Sequence, residues 1–332
     1  MQVWEKKGRI YSETRAQTPI IFKKSEDIWR IYYSDRDKDG KSYTKYLDVE
    51  AGNPSKIIKK HDKPLLTKGG LGMFDVSGNM PSSIVRVGSM VWLYYIGWVE
   101  RKDVPYRNSI GLAISEDGGD SFYKYSEGPV FGPTTKEPGF TGTSHVIRQA
   151  TNLWVNYYLY CTGWIKDGDK LEPRYRINYA TSTNGINWRR DNLQAIGYTC
   201  SDEGGIVSAS VIASEETWPD RVGPKKANGE CRSISNSVLK MWYSYRATTD
   251  YRNNPDRSYR IGYAKSLGGA SITGTEQWLR YDDEVELVGD SDGWDSEMQC
   301  YPQVIEHEGE LFMFYNGNGF GETGFGYAKL IP

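Results

Sequence analysis

Five copies of one strand pattern run the length of this chain. No other feature restricts the fold as much, because similarity at a recurring spacing means that each unit is one supersecondary piece packed on its neighbours. An aromatic-rich strand recurs as WRIYYS (29–34), WLYYIGW (92–98), WVNYYLYCTGW (154–164), LKMWYSY (239–245) and LFMFYNG (311–317). A shorter apolar strand precedes each one: TPIIF (18–22), PSSIV (81–85), TSHVI (143–147), SASVI (208–212) and YPQVI (301–305). After a polar loop comes a third strand, visible as SIGLAIS (109–115), RINYATS (176–182), RIGYAKS (260–266) and GFGYAKL (324–330), with alanine in one register throughout. Three of these run on into a turn and an aromatic residue, SEDGGDSF (115–122), STNGINW (182–188) and SLGGASITGTEQW (266–278), and a fourth strand follows.

Four antiparallel strands repeated five times predict an all-β, five-bladed β-propeller with the first strand of each blade innermost. The last unit reaches Pro332 without a fourth strand of its own, whereas VWEKKGRIYS (3–12) reads as a lone strand ahead of the first complete unit. The two are expected to pair, closing the ring and removing a sheet edge that would invite aggregation. One domain then spans residues 1–332.

The turn motifs have a structural reading. Asp117 and Asn184 are of the type that accepts nearby backbone amides in tight turns, and Phe122 and Trp188 are placed to tuck between blades.

Net charge and sequence ends narrow the function classes. A formal charge of −2 and a pI near 6.1 give no basic field for nucleic acid or anionic membranes. The opening MQVWEKKGRIYSETR has no apolar signal region, and no run approaches the ~18 apolar residues of a membrane span, so a soluble cytoplasmic protein is expected. Four dispersed cysteines without a CxxC pair, and only three histidines, leave no zinc or iron signature and no cofactor motif. DRDKDG (35–40) has the spacing that opens a calcium loop, making Asp35, Asp37 and Asp39 weak calcium candidates, but Tyr46 stands where the loop's closing glutamate belongs.

Strand direction decides which loops cooperate. The loops entering each first strand and those joining second to third strands emerge on the same face, and they are long and rich in charge and aromatics. LGMFDVSGNMPSSIV (71–85) and DGWDSEMQCYPQVI (292–305) share an aromatic-Asp pair at the same distance from the strand, Phe74-Asp75 matching Trp294-Asp295. CSDEGGIVSASVI (200–212) brings Glu203 to similar depth, and Glu297 lies close by. Asp75, Glu203, Glu297 and Asp295 are therefore the candidate catalytic acids, since cleaving a glycosidic bond uses two carboxylates; each alone is as readily a loop cap or an arginine partner.

For substrate binding, Trp98 and Trp164 end equivalent strands where an indole stacks on a sugar face, with core packing as their alternative. Tyr106-Arg107, Tyr175-Arg176 and Tyr259-Arg260 fall on one face of the pleat, so Arg107, Arg176 and Arg260 are candidates for an anion-recognising rim or for neutralising the acids. Arg36, Arg246, Tyr301, Asn316 and Asn318 complete the set, together with His145, which starts a first-strand segment and reads equally as a core histidine.

The repeated S-x-D/N-G-x-x-W turns, the five-fold period and the acids at the first-strand approaches resemble the five-bladed glycoside hydrolases of the arabinanase, xylosidase, invertase and mannoside-phosphorylase families. The segments FDVSGNMPSSIV, YRNSIGLAISEDGG and GWDSEMQCYPQVIEHEGELFMFYNGNGFGETGFGYA look like a group of bacterial glycosidase-like propellers that accompany surface-polysaccharide genes. The resemblance implies carbohydrate as the partner and sets Glu203 in a catalytic position of the family; the first reading is a glycosyl-cleaving enzyme with Glu203 or Glu297 as general acid and Asp75 as base or water-positioner. The resemblance also implies an aspartate entering blade one. SETRAQTPIIF (12–22) has none beside Thr18-Pro19, FTGTSHVI (140–147) has no acid, and WMNDPNG, RDP and EC motifs are missing. The alternative reading is a non-catalytic glycan-binding propeller serving surface-polysaccharide assembly.

Overall fold

A computed structural model describes residues 1–216, 222–225, 231–233, 236–267, 277–289 and 292–332; the side chains of 214–237 and of 267 are left aside. The chain is nearly all-β, and no helix is long and apolar enough to cross a membrane among the described residues. The insertion expected in the turn 266–278 falls largely on 268–276, outside the described residues.

The strands form antiparallel meanders in chain order. The first comprises Gln17–Lys23, Ile28–Arg36, Ser42–Glu50 and Asn53–His61, and the second Gly78–Val87, Met90–Glu100, Tyr106–Ser115 and Tyr123–Lys124. The third comprises Thr141–Ala150, Leu153–Asp167, Lys170–Ser182 and Trp188–Ile196, and the fourth Glu203–Glu216, Asn236–Ala247, Arg260–Leu267 and Gln277–Arg280. The last comprises Cys300–His307, Glu310–Asn316 and Phe325–Leu330, and its outer neighbour is Gln2–Tyr11, paired antiparallel with Trp4 opposite Leu330. On its other side Gln2–Tyr11 pairs in parallel with Val285–Val288. Single parallel bridges, Ser42 to Gly78 and Tyr175 to Gly205, link neighbouring meanders into larger sheets, none of which closes on itself.

Apolar packing lies between successive meanders. Trp29, Ile31 and Tyr33 meet Phe312, Phe314 and Tyr327; Tyr94 and Ile96 meet Trp154 and Tyr158; Trp242 and Tyr263 meet Trp4 and Tyr315. Such rings each remove on the order of 150–250 Å² from water, which explains the aromatic excess. The turn aromatics pin adjacent meanders as the sequence suggests: Phe122 packs on Tyr32 with centroids 5.8 Å apart, Trp188 on Tyr94 at 6.4 Å and Trp278 on Tyr157 at 5.7 Å. Asp117 accepts the amides of Asp120 and Ser121, and Asn184 those of Ile186 and Asn187, as turn residues do.

Every first strand carries a register shift at the same point, between Gln17 and Ile20, Pro81 and Ser83, Thr141 and Ser144, Val207 and Ser210, and Cys300 and Gln303. Thr18, Ser208 and Tyr301 take positive φ there, at 51°, 61° and 59°. A bulge bends its strand and re-aims a side chain, so the five shifts redirect the side chains at the start of each first strand. Just beyond, the inner strands are stitched together: Val146 N donates to Ser83 Oγ at 2.9 Å, Val211 N to His145 Nε2 at 3.2 Å, and Val304 N to Ser210 Oγ at 2.8 Å.

Candidate functional site

The bulged strand starts surround a cavity of about 330 Å³. Its wall takes Arg15, Gln17, Thr18, Met80, Thr143, Val207 and Tyr301 from the first-strand approaches. Arg36, Ile96, Trp98 and Leu159 come from second strands, Asn108, Tyr106, Tyr175 and Tyr259 from third strands and their approaches, and Tyr251, Arg252 and Phe320 from the connecting loops. The face deduced from strand direction is the face that opens into the cavity. Five tyrosines, Trp98 and three arginines line it, and no carboxylate does among the described residues.

The four acids singled out in the sequence lie elsewhere, and their partners show why. Asp75 is 1% exposed, 2.6 Å from Lys124 Nζ of the fourth strand, with the Tyr95 hydroxyl donating to it at 3.4 Å. Asp295 is fully buried, 3.1 Å from Lys6 Nζ, and accepts Tyr315 Oη at 2.8 Å. The echo between Phe74-Asp75 and Trp294-Asp295 is thus one motif built twice, with Phe74 stacked on Tyr95 and Trp294 on Tyr315. Glu203 follows the same plan in the fourth meander: Arg280 grips it through both terminal nitrogens, at 2.5 and 2.8 Å, and Thr199 N donates to it at 2.7 Å. Glu137, not picked out from the sequence, completes the series in the third, bound by Arg190 and by the hydroxyl of Tyr158 at 2.6 Å. Asp75, Glu137 and Glu203 each tie the start of a first strand to the fourth strand of the same meander, and Asp295 ties its loop to Gln2–Tyr11. Glu297 is exposed and contributes backbone: its amide donates to Asn318 Oδ1 and its carbonyl accepts Arg260.

Of the candidate binding residues, Arg36, Trp98 and Tyr301 line the cavity. In the Tyr-Arg pairs the alternation is as deduced, but the tyrosines take the cavity side and the arginines the other. Arg107 is exposed, Arg176 donates to Asn178, Gln194 and Asn192, and Arg260 holds the carbonyls of Tyr259, Glu297 and Pro255. Trp164 packs with Tyr106 and Phe140 behind the wall, which is its core alternative. Arg246 is 1% exposed, donates to Pro173 O, Ala247 O and Tyr259 Oη, and lies 3.7 Å over the Tyr251 ring, supporting the tyrosine cluster from beneath. Asn316 accepts Thr18 N and donates to Cys300 Sγ, while Asn318 braces the loop before Cys300.

His145 is an inter-strand acceptor, not a cavity group. Burial pushes its pKa down to about 4, against the opposing pull of the Val211 carbonyl, and the ring is neutral at pH 7. Two of the three calcium candidates are engaged within the protein: Asp35 meets Lys45 at 2.6 Å and caps the Arg36 amide, and Asp37 accepts the amides of Asp39 and Lys41, while Asp39 is exposed. Among the described residues no cluster of three or more acidic, histidine or cysteine side chains is arranged to hold a metal.

Two carboxylates missed by sequence reasoning touch the wall from behind. Glu172, 4% exposed, takes Arg252 Nε at 2.7 Å and Nη2 at 3.0 Å, and accepts the Tyr251 hydroxyl. Burial alone would raise its pKa, but the bonds from Arg252 and Tyr251 outweigh burial and hold it below the usual range. Glu322 pairs with Arg15 at 3.0 Å on the rim. Arg15 and Glu13 stand in SETRAQTPIIF, and of the two Arg15 lines the cavity.

This architecture is a propeller-like glycoside hydrolase fold. A solved glycoside hydrolase aligns with a TM-score of 0.63 at 16% identity, covering 98% of this chain and 91% of that one. A thermostable family-43 glycoside hydrolase gives 0.60 at 15%, covering 96% and 91%, and an alpha-L-arabinofuranosidase from Lactobacillus brevis 0.63 at 11%, covering 96% and 92%. No family model matches the chain. Uncharacterized protein MT1551 and Uncharacterized protein Rv1502, from two strains of Mycobacterium tuberculosis, are each 32% identical over 337 residues, covering 98% of this chain and 99% of theirs. The chain belongs to the family of these mycobacterial proteins.

Proposed function

We propose that residues 1–332 form a single five-bladed propeller, each meander a blade and Gln2–Tyr11 the outer strand of the last, and that it binds carbohydrate in the central cavity. The observation that carries this is the wall itself: Tyr106, Tyr175, Tyr259, Tyr301 and Trp98 offer flat apolar faces with polar edges, which suits sugar rings. The solved proteins that share the fold are glycoside hydrolases, which supports a carbohydrate ligand. Recognition without carboxylate hydrolysis fits best, because no carboxylate lines the described wall, with Asp75, Asp295 and Glu203 held in ion pairs elsewhere and Glu297 exposed.

A glycosyl-cleaving enzyme is the second reading, and it is favoured by Glu172, whose carboxylate accepts the hydroxyl of the wall residue Tyr251. A glycan array followed by titration and turnover assays separates the two. Binding that is retained with no released sugar supports recognition, and turnover abolished by Glu172→Gln supports cleavage. A protein that engages no glycan refutes both.

A further inference from the structure

Within the cavity, positive charge is distributed unevenly. Arg252 is neutralised by Glu172 through two bonds. Across the cavity, Arg36 has no carboxylate partner among the described residues: Nε donates to Gln17 Oε1 at 3.2 Å and Nη1 to Gly40 O at 2.9 Å, leaving Nη2 outside these bonds. The acid next to it in sequence, Asp35, is turned to Lys45. Trp98 lies beneath, with the guanidinium carbon 5.3 Å from its ring, and fixes the fork in place.

The surroundings sharpen the imbalance. Arg15 lines the same cavity; burial and the nearby charge of Arg15 together lower the pKa of Arg36, which is the mark of two cations sharing a wall. Among the described residues the acid that Arg15 meets is Glu322, which is 68% exposed, so solvent screens that pair and a competing anion displaces it at little cost. Thr18, on the same wall, is only 5% exposed, and its hydroxyl has no hydrogen-bond partner. An oxyanion beside Arg36 offsets the like-charge repulsion and gives both the guanidinium edge and the threonine hydroxyl an acceptor.

We propose that Arg36, with Arg15 and Thr18, is an anion subsite that receives the carboxylate of an acidic sugar. The inference rests on the reading of the cavity as a carbohydrate site. A carboxylate fits better than a point anion because Arg36 is held at two of its nitrogens and presents one planar edge.

The test is an array of uronic-acid, sialic-acid and neutral oligosaccharides, followed by titration of the strongest acidic ligand, its methyl ester and inorganic phosphate. The wild type is expected to bind the acid about 10–100-fold more tightly than the ester, a ratio typical of one charged hydrogen-bonded pair. Arg36→Gln is expected to weaken the acid far more than the ester, so that the preference is lost, and Arg36→Lys to restore part of it; thermal melts of both variants check folding. Equal affinity for acid and ester, an acid preference that survives Arg36→Gln, or phosphate competing as well as the acidic sugar overturns the subsite while leaving carbohydrate binding intact. Failure of every glycan, neutral and acidic, instead overturns the reading of the cavity.

Discussion

Lys6 Nζ lies 3.1 Å from the carboxylate of Asp295, tying the first strand of the chain to the loop before its last meander. The same relationship joins Lys124 to Asp75, Arg190 to Glu137 and Arg280 to Glu203. In each, an acid at or ahead of the start of a first strand meets a cation on an outer strand, the fourth strand of the same meander for Lys124, Arg190 and Arg280 and Gln2–Tyr11 for Lys6. Lys6 supplies that cation from the opposite end of the sequence, on the strand that pairs with Phe325–Leu330.

Removing one partner of such a pair leaves a buried charge uncompensated, a cost of about 3–5 kcal/mol. Lys6→Ala and Asp75→Ala are each expected to lower the urea midpoint accordingly, whereas Lys6→Met combined with Asp295→Leu recovers most of the loss. Denaturation curves measure this. A variant of Asp75 that folds like the wild type yet loses ligand or turnover would show the acid to be functional.

The glycines of the third strands make a second prediction. A Cβ on Gly111 would sit 2.3 Å from the Tyr95 ring, and one on Gly262 2.5 Å from the ring of Tyr243. Each tyrosine lies flat across the glycine of the paired strand. Gly111→Ala should therefore cost about 1–3 kcal/mol by overpacking, and Tyr95→Leu in the same chain should relieve part of it, a coupling that a double-mutant cycle reads directly.

The strands that carry these glycines also show what the sequence made visible. The alanine held in one register marked the third strands, and pleat parity placed Tyr106, Tyr175 and Tyr259 on one face, which proved to be the cavity face. The acids were misleading because their partners sit on fourth strands as short as Tyr123–Lys124, too brief to leave a pattern. Without Lys124 in view, Asp75 read equally as a catalytic acid and as a loop cap or arginine partner. Arg15 and Thr18 were passed over for the opposite reason, since the missing aspartate drew attention away from the residues that occupy its place.

A third expectation concerns Trp98, whose indole donates to Ser42 Oγ at 2.7 Å and whose ring supports Arg36. Trp98→Phe keeps the ring but loses the bond, and should weaken acidic and neutral ligands by a similar small factor. Trp98→Ala removes the support under Arg36 as well, and the acid should then lose more than the ester does. Titration of both ligands distinguishes a platform for Arg36 from a general wall residue.

The last prediction is a pH dependence with a defined sign. The pKa of His145 falls from its ordinary 6.5 to about 4 on folding, because its ring is buried beside the Val211 amide. Between those values the unfolded chain binds a proton that the folded chain does not, so stability rises with pH across the window and is lost as pH falls from 6.5 toward 4. The loss at the acid end is up to about 3 kcal/mol, since each unit of pKa difference corresponds to about 1.4 kcal/mol. Urea denaturation at intervals between about pH 7 and pH 4 should show this slope, and His145→Gln, which keeps a polar side chain but cannot titrate, should flatten it. An unchanged slope in the variant would show that the acid sensitivity does not come from His145.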